Sequence, residues 1–168
     1  MEQINVRRSE KLFDQIFRIA KALILKTSER TIEKAEAQKI FTQLAQETIN
    51  NPGLTVEVLV NLSDLLLEEL KVSGSDDAFN EVNYWTNKLL EFAKTQQSYS
   101  LLVETYLLQS QLALLELDIQ KAQNLLFQVE LLASEKKLGK YTQRITEEQE
   151  SLQNNLSLWD KLLDQKAQ

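Results

Sequence analysis

Residues 106–128 read YLLQSQLALLELDIQKAQNLLFQ. The first dozen are apolar on almost every side of a helix, yet Gln109, Gln111 and Glu116 interrupt them. Asp118 then arrives as a cap, Ala122 follows, and the pattern becomes an ordinary amphipathic helix with one apolar face. A helix apolar all round must be covered on most of its circumference, whereas a one-faced helix needs a single neighbour. The stretch therefore reads as a helical hairpin whose first helix is held between neighbours on several sides.

The same alternation extends outward. Going back, "VEVLVNLSDLLLEEL" is apolar nearly all round within a helix expected from Thr55 to about Val72. It is followed by a one-faced helix from about Asp77 to Thr95, bearing Phe79, Val82, Trp85, Leu89, Phe92 and Ala93. Between them, "SGSDD" breaks the chain, and Ser75 or Asp76 can cap the second of the two helices. Ser98 can cap the opening stretch's own first helix. Nearer the N-terminus, Leu12, Phe13, Ile16, Phe17, Ala20, Leu23 and Ile24 mark a helix from about Val6 to Thr27. A second helix, from about Thr31 to Asn50, carries Ala37, Ile40, Phe41, Leu44, Ala45 and Ile49, and "NNPG" is taken to stop it. Beyond the opening stretch, "KLGK" precedes a long helix, about 141–166, striped by Tyr141, Ile145, Leu152, Leu156, Trp159 and Leu163.

Short connections force neighbouring helices antiparallel. The expected architecture is all-α, a single domain over 1–168. Its hairpins fall at about 6–50, 55–95 and 98–136, with a capping helix at about 141–166. All-round helices alternating with one-faced helices suggest a stack of hairpins, which needs a solvating end. Trp85 and Trp159 lie on apolar stripes and are expected to pack there.

Composition agrees and narrows function. The chain has 168 residues, with only three Gly and one Pro, too few turn residues for sheets or long loops. It has neither Cys nor His, so thiolate chemistry, disulfides and the commonest metal ligand and neutral-pH general base are excluded. The Glu147, Glu148 and Glu150 carboxylates do not converge on one helix face and make a poor cage for a cation. We therefore expect no catalytic residues, no cofactor and no metal. A net charge of −6 argues against nucleic acid as a partner. "MEQINVRRSEK" lacks the apolar run of a secretory signal, and the Leu-rich stretch is too short and too polar to span a bilayer. A cytoplasmic, soluble protein that binds no membrane is the expectation. Charge is uneven: residues 1–30 carry seven cations against four acids, while residues 54–118 carry three Lys against eleven Asp and Glu. The plainest account of that acidity is a solvated surface; the functional account is an acidic face that attracts a basic segment.

The stretch "VETYLLQSQLALLELDIQKAQNLLFQVELLASEKK" resembles a tetratricopeptide repeat, a two-helix unit of about 34 residues with small residues where its helices cross. Tyr106 stands at the first aromatic position, Ser110 and Ala113 at small positions, Ala122 at the small position of the second helix and Leu126 at the later bulky one. Val129 stands where a second Ala is usual. "LVNLSDLLLEEL" overlays with Ser63 in the small place, and "EKAEAQKIFTQLAQE" looks like a repeat's second helix with Ala37 and Phe41 in register. Residues from about 20 to 165, through "ALILKTSER", "LLVETYLLQSQLALLELD" and "LSLWDKLL", are similar to the C-terminal part of archaeal tetratricopeptide proteins. The resemblance implies a right-handed superhelical stack and a non-catalytic scaffold that binds a peptide or protein segment in its concave groove. Carried over by position, the groove residues are Glu57, Val60, Asn61, Asp64, Leu67 and Glu68, with Glu104, Leu107, Leu108, Gln111, Leu114 and Leu115. These are acidic or apolar, so the expected ligand is basic and partly apolar, not the acidic tail that some members of the family hold. A structural module forming a homo-oligomer through its terminal helices is the second reading.

Overall fold

The computed structural model describes the backbone of residues 2–166 and side chains over 6–157. It is all-helical, with seven α-helices and no strand among the described residues: α1 Glu2–Lys26, α2 Thr31–Ala45, α3 Pro52–Ser73, α4 Asp76–Thr95, α5 Tyr99–Leu115, α6 Ile119–Glu135 and α7 Thr142–Lys166. A single 3-10 turn, Gly139–Tyr141, precedes α7. Contacts divide the chain into two compact units, Met1–Leu89 and Leu90–Gln168, the division falling inside α4.

Local chemistry sets the ends. "NNPG" starts a helix instead of stopping one. Pro52 sits in the first turn of α3, where an N–H has no partner to lose, and the Asn51 side chain accepts from the N–H groups of Gly53 and Leu54 at 2.9 and 3.2 Å. Thr55, where this helix was expected to begin, lies inside α3 and donates its hydroxyl to the Asn51 carbonyl; α2 correspondingly ends at Ala45. Ser75, Ser98 and Asp118 cap as expected, accepting from Ala78, Leu101 and Lys121 respectively.

Three turns share one geometry. Gln97, Leu117 and Lys137 take positive φ of 51, 61 and 55°. In each, the next residue's N–H returns to an Ala carbonyl five residues back, Ala93, Ala113 and Ala133, at 3.0, 2.9 and 2.8 Å. This is the Schellman closure, made here without glycine at the left-handed position. In the first two turns the residue that closes it, Ser98 or Asp118, also caps the next helix.

In the first unit, α1 packs on α2 and α3, and α2 packs on α3. Arg18 of α1 pairs with Glu47 just beyond α2, while Lys21 pairs with Glu36 within it, so the two helices run antiparallel. Lys34 and Gln38, early in α2, reach Glu68 and Glu69, late in α3, so α3 turns back again and runs parallel to α1. In the second unit α5, α6 and α7 contact one another pairwise. Tyr141 donates to the Ser100 carbonyl at 3.2 Å, Arg144 pairs with Glu104, and Gln111 donates to Glu148. Partners advance together along both helices, so α7 runs parallel to α5.

The alternation of faces is borne out. In α3, Val58, Leu59, Leu62, Ser63, Leu65, Leu66, Leu67 and Leu70 are buried, and α5 is buried as continuously. In α6 only Ala122, Leu126, Val129 and Ala133 are, a single stripe. In α7, Tyr141 just ahead of it, Ile145 and Leu152 are buried and Leu156 is half-buried, whereas the Trp159 and Leu163 side chains lie outside the described residues. Trp85 is buried.

In α1 the expected stripe is wrong. Phe13, Phe17 and Ile24 are 71, 70 and 72% exposed, and Leu12 and Ile16 are 36 and 42% exposed. The face that packs inward is Gln15, Ile19 and Ala22. Buried Gln15 satisfies its amide on Glu47 and on the Thr48 carbonyl, which removes most of the cost of burying it.

Candidate protein-binding surfaces

The positions expected to line a groove fall into three kinds. Leu107 and Leu108 are fully buried, as is Leu67, so they present nothing to a partner. Leu107 belongs to the core cluster that also holds Val103, Ala113, Ala122 and Leu126. In a helix apolar on every side, pattern alone does not separate the side facing the core from the side facing a groove.

The polar positions on α5 are engaged by α7. Glu104 takes the Arg144 guanidinium, and Gln111 gives its amide to Glu148. Leu114 is half-buried, and Leu115, at the helix end, is 40% exposed. Within the second unit, therefore, α7 lies along the part of α5 where a peptide was expected.

The acidic positions on α3 remain closer to solvent, but the chain's own lysines reach them. Lys26 Nζ donates to Asp64 at 2.9 Å and to Asn61 at 2.8 Å, and Lys34 Nζ pairs with Glu68 at 2.8 Å. Asn61 in turn donates to the Glu57 carbonyl at 2.8 Å and to its carboxylate at 3.1 Å. Glu57 is exposed and Val60 is half-buried. Lys26, one of the cations concentrated in the first thirty residues, and Lys34 of α2 thus answer part of the acidity of α3 inside the chain. Sequence separation hides these pairs, which join residues more than thirty positions apart.

Beside them, α2 and α3 enclose an open cleft of about 630 Å³, lined among others by Lys34, Gln38, Leu65, Glu68, Glu69 and Val72. A smaller cleft, about 470 Å³, lies between α6 and the start of α7. Among the described residues, no group of three or more carboxylates is placed to hold a metal ion, and no helix is long and apolar enough to cross a membrane.

The strongest perturbed pair is Arg18 with Glu47. The Arg18 guanidinium donates to Glu47 at 2.7 and 2.9 Å, and Gln15 adds a third donor. Hydrogen bonding from Arg18 holds the Glu47 carboxyl below the usual carboxylate range despite partial burial. The same bond raises Arg18. This pair joins α1 to the end of α2 and is structural in its placement.

Compared with protein-family models, with curated proteins and with solved structures, the chain finds no match.

Proposed function

We propose that the chain is a non-catalytic helical-repeat scaffold whose work is to hold another protein segment. The observation that carries this is the acidic face of α3, where Glu57 is exposed and Glu68 lines an open cleft; α1 adds an exposed apolar face, with two phenylalanines and an isoleucine about 70% exposed. Large exposed apolar patches on folded proteins mark surfaces that bind. The resemblance of the α5–α6 hairpin to a tetratricopeptide repeat supports the same class, as does a chain built without His or Cys.

For a separate ligand the surface of choice is on the first unit. Glu57, Asn61, Asp64 and Glu68 stand on α3, with Glu68 lining the α2–α3 cleft, and favour a basic, partly apolar helix or extended peptide. Such a ligand competes with Lys26 and Lys34 for the same carboxylates. Charge sets its association rate and salt sensitivity more than its dissociation.

The test is a selection from displayed peptides, followed by binding titrations of recovered sequences over a salt series. Basic amphipathic peptides that bind more weakly to Glu57→Lys, most clearly at low salt, are the expected result. Binding that ignores both Glu57→Lys and salt would overturn the acidic-face reading. The exposed stripe of α1 also favours a second reading, self-association through that helix.

A further inference from the structure

Val6, Glu10, Phe13, Phe17, Ala20 and Ile24 recur at spacings of four, three, four, three and four residues. That is a heptad seam, the pattern by which two helices pack side by side. At ~100° per residue the apolar five fall within a sector ~60° wide, opposite the buried Gln15, Ile19 and Ala22. All six are exposed. No neighbouring helix of the first unit is needed to complete α1's inner face, which α2 and α3 already cover.

We propose that two copies of this chain pair through this seam, antiparallel, about a two-fold axis at residue 15. The proposal rests on the self-association reading and adds its geometry. The order of side chains argues for the second copy. Read from either end, the seam is self-complementary about residue 15. Phe13 meets Phe17 of the partner subunit, Val6 meets Ile24 of the partner subunit, and Glu10 meets the small Ala20 of the partner subunit. Lys21, beside Ala20 and shared only with Glu36 on an exposed side, comes next to the partner's Glu10. A parallel pair would instead set Glu10 against Glu10, two like charges within an apolar seam.

The remaining charges agree. Arg18 and Lys26 are held by Asp14, Glu47 and Asp64. Arg7, Arg8 and Lys11 lie roughly 100° or more from the seam's centre, so two copies meet without bringing their cations together. The same placement disfavours a lipid surface, which is best met by a helix whose cations flank its apolar stripe. A two-helix seam of this length buries on the order of 1,000 Å², the low end for a specific pair. A reversible, roughly micromolar dimer is expected.

The test uses the full chain. Sedimentation over a wide concentration range should show a monomer–dimer equilibrium, and Phe17→Asp should weaken it at least tenfold while leaving the helical circular dichroism unchanged. If Phe17→Asp impairs folding, the milder Phe13→Ala should still weaken pairing several-fold. Because the chain has no cysteine, Glu10→Cys and Ala20→Cys supply unique thiols. With a short bis-maleimide, the mixture of the two variants should cross-link far more than either alone. A chain that stays monomeric at millimolar concentration overturns self-association altogether. A dimer in which Glu10→Cys alone links as well as the mixture overturns the antiparallel geometry only. Flotation of a monomeric chain with phosphatidylserine vesicles, lost in Phe17→Asp, would assign the seam to a membrane and also overturn the proposal.

Discussion

The two units repeat one arrangement, a helix, an antiparallel neighbour and a third helix parallel to the first, yet they treat their leading helix in opposite ways. In the second unit α5 is buried on nearly every side, its Leu107, Leu112 and Val103 almost wholly removed from solvent. In the first unit α1 also carries an apolar stripe on its outer face, but there Phe13, Phe17 and Ile24 meet solvent. The difference teaches that apolarity specifies what a face is able to bury, not which neighbour is present to bury it. The bare face of α1 is the surface on which the proposed pairing rests.

The sharpest contrast comes from truncating each helix. Leu107→Ala leaves a cavity in a closed core and should cost about 2–5 kcal/mol in a denaturant melt. Phe17→Ala, removing a larger side chain from an exposed face, should cost the dilute monomer under about 0.5 kcal/mol. Comparable losses would show that α1 is covered within the monomer.

A second comparison probes the helix crossings. Ala37 in α2 and Ala122 in α6 are both fully buried. Ala37→Leu and Ala122→Leu should each overpack their unit by about 1–3 kcal/mol, with Gln153→Ala, at an exposed position on α7, as a near-neutral control. If Ala122→Leu costs no more than Gln153→Ala, close helix crossing at that position is wrong.

Two serines at equivalent positions of the repeat-like pattern also differ. Ser110 donates its hydroxyl to the Leu107 carbonyl at 2.8 Å, whereas the buried Ser63 hydroxyl has no partner. An unsatisfied buried hydroxyl is destabilising, so Ser63→Ala should stabilise by about 1 kcal/mol, while Ser110→Ala should be neutral or slightly destabilising. Thermal melts of the two variants moving in the same direction and by the same amount would contradict this.

The smallest effect concerns acid. Glu47 titrates lower in the folded chain than in the unfolded one, chiefly through Arg18. Its stabilisation is therefore complete above the unfolded carboxylate range and is lost as pH falls through the lowered folded value. The pair is partly screened by solvent and is worth about 1 kcal/mol or less. Glu47→Gln should flatten the acid side of the stability profile without changing its slope above neutrality. An unchanged acid limb would remove Glu47 from the account.

Much of this is legible from residue order alone. Helix number, the caps at Ser98 and Asp118, and the alternation of all-round with one-faced helices all follow from short-range periodicity and turn chemistry. Pro52 misleads because proline both ends helices and fits their first turn; the Asn51 cap decides between the two. Leu107 and Leu108 are misplaced in a groove because an all-round apolar helix carries no marker of its outward side. The pairs Lys26–Asp64, Lys34–Glu68 and Arg144–Glu104 join distant segments, which local pattern does not reveal. On α1 the outward stripe is the more conspicuous of two faces, and the inward one, built around Gln15 and Ala22, is hidden by its polarity and small size.

The contrast between α1 and α5 can be measured directly by thiol labelling, since every introduced cysteine is unique. Phe17→Cys and Val103→Cys place a thiol on the bare and on the buried helix. In dilute solution Phe17→Cys should react with a maleimide at nearly the rate of a free thiol, slowing as the chain is concentrated, while Val103→Cys should react only through unfolding, at a rate independent of concentration. Equal protection of the two thiols at high dilution would contradict the account, because it would mean that α1 is already an interior helix in the single chain.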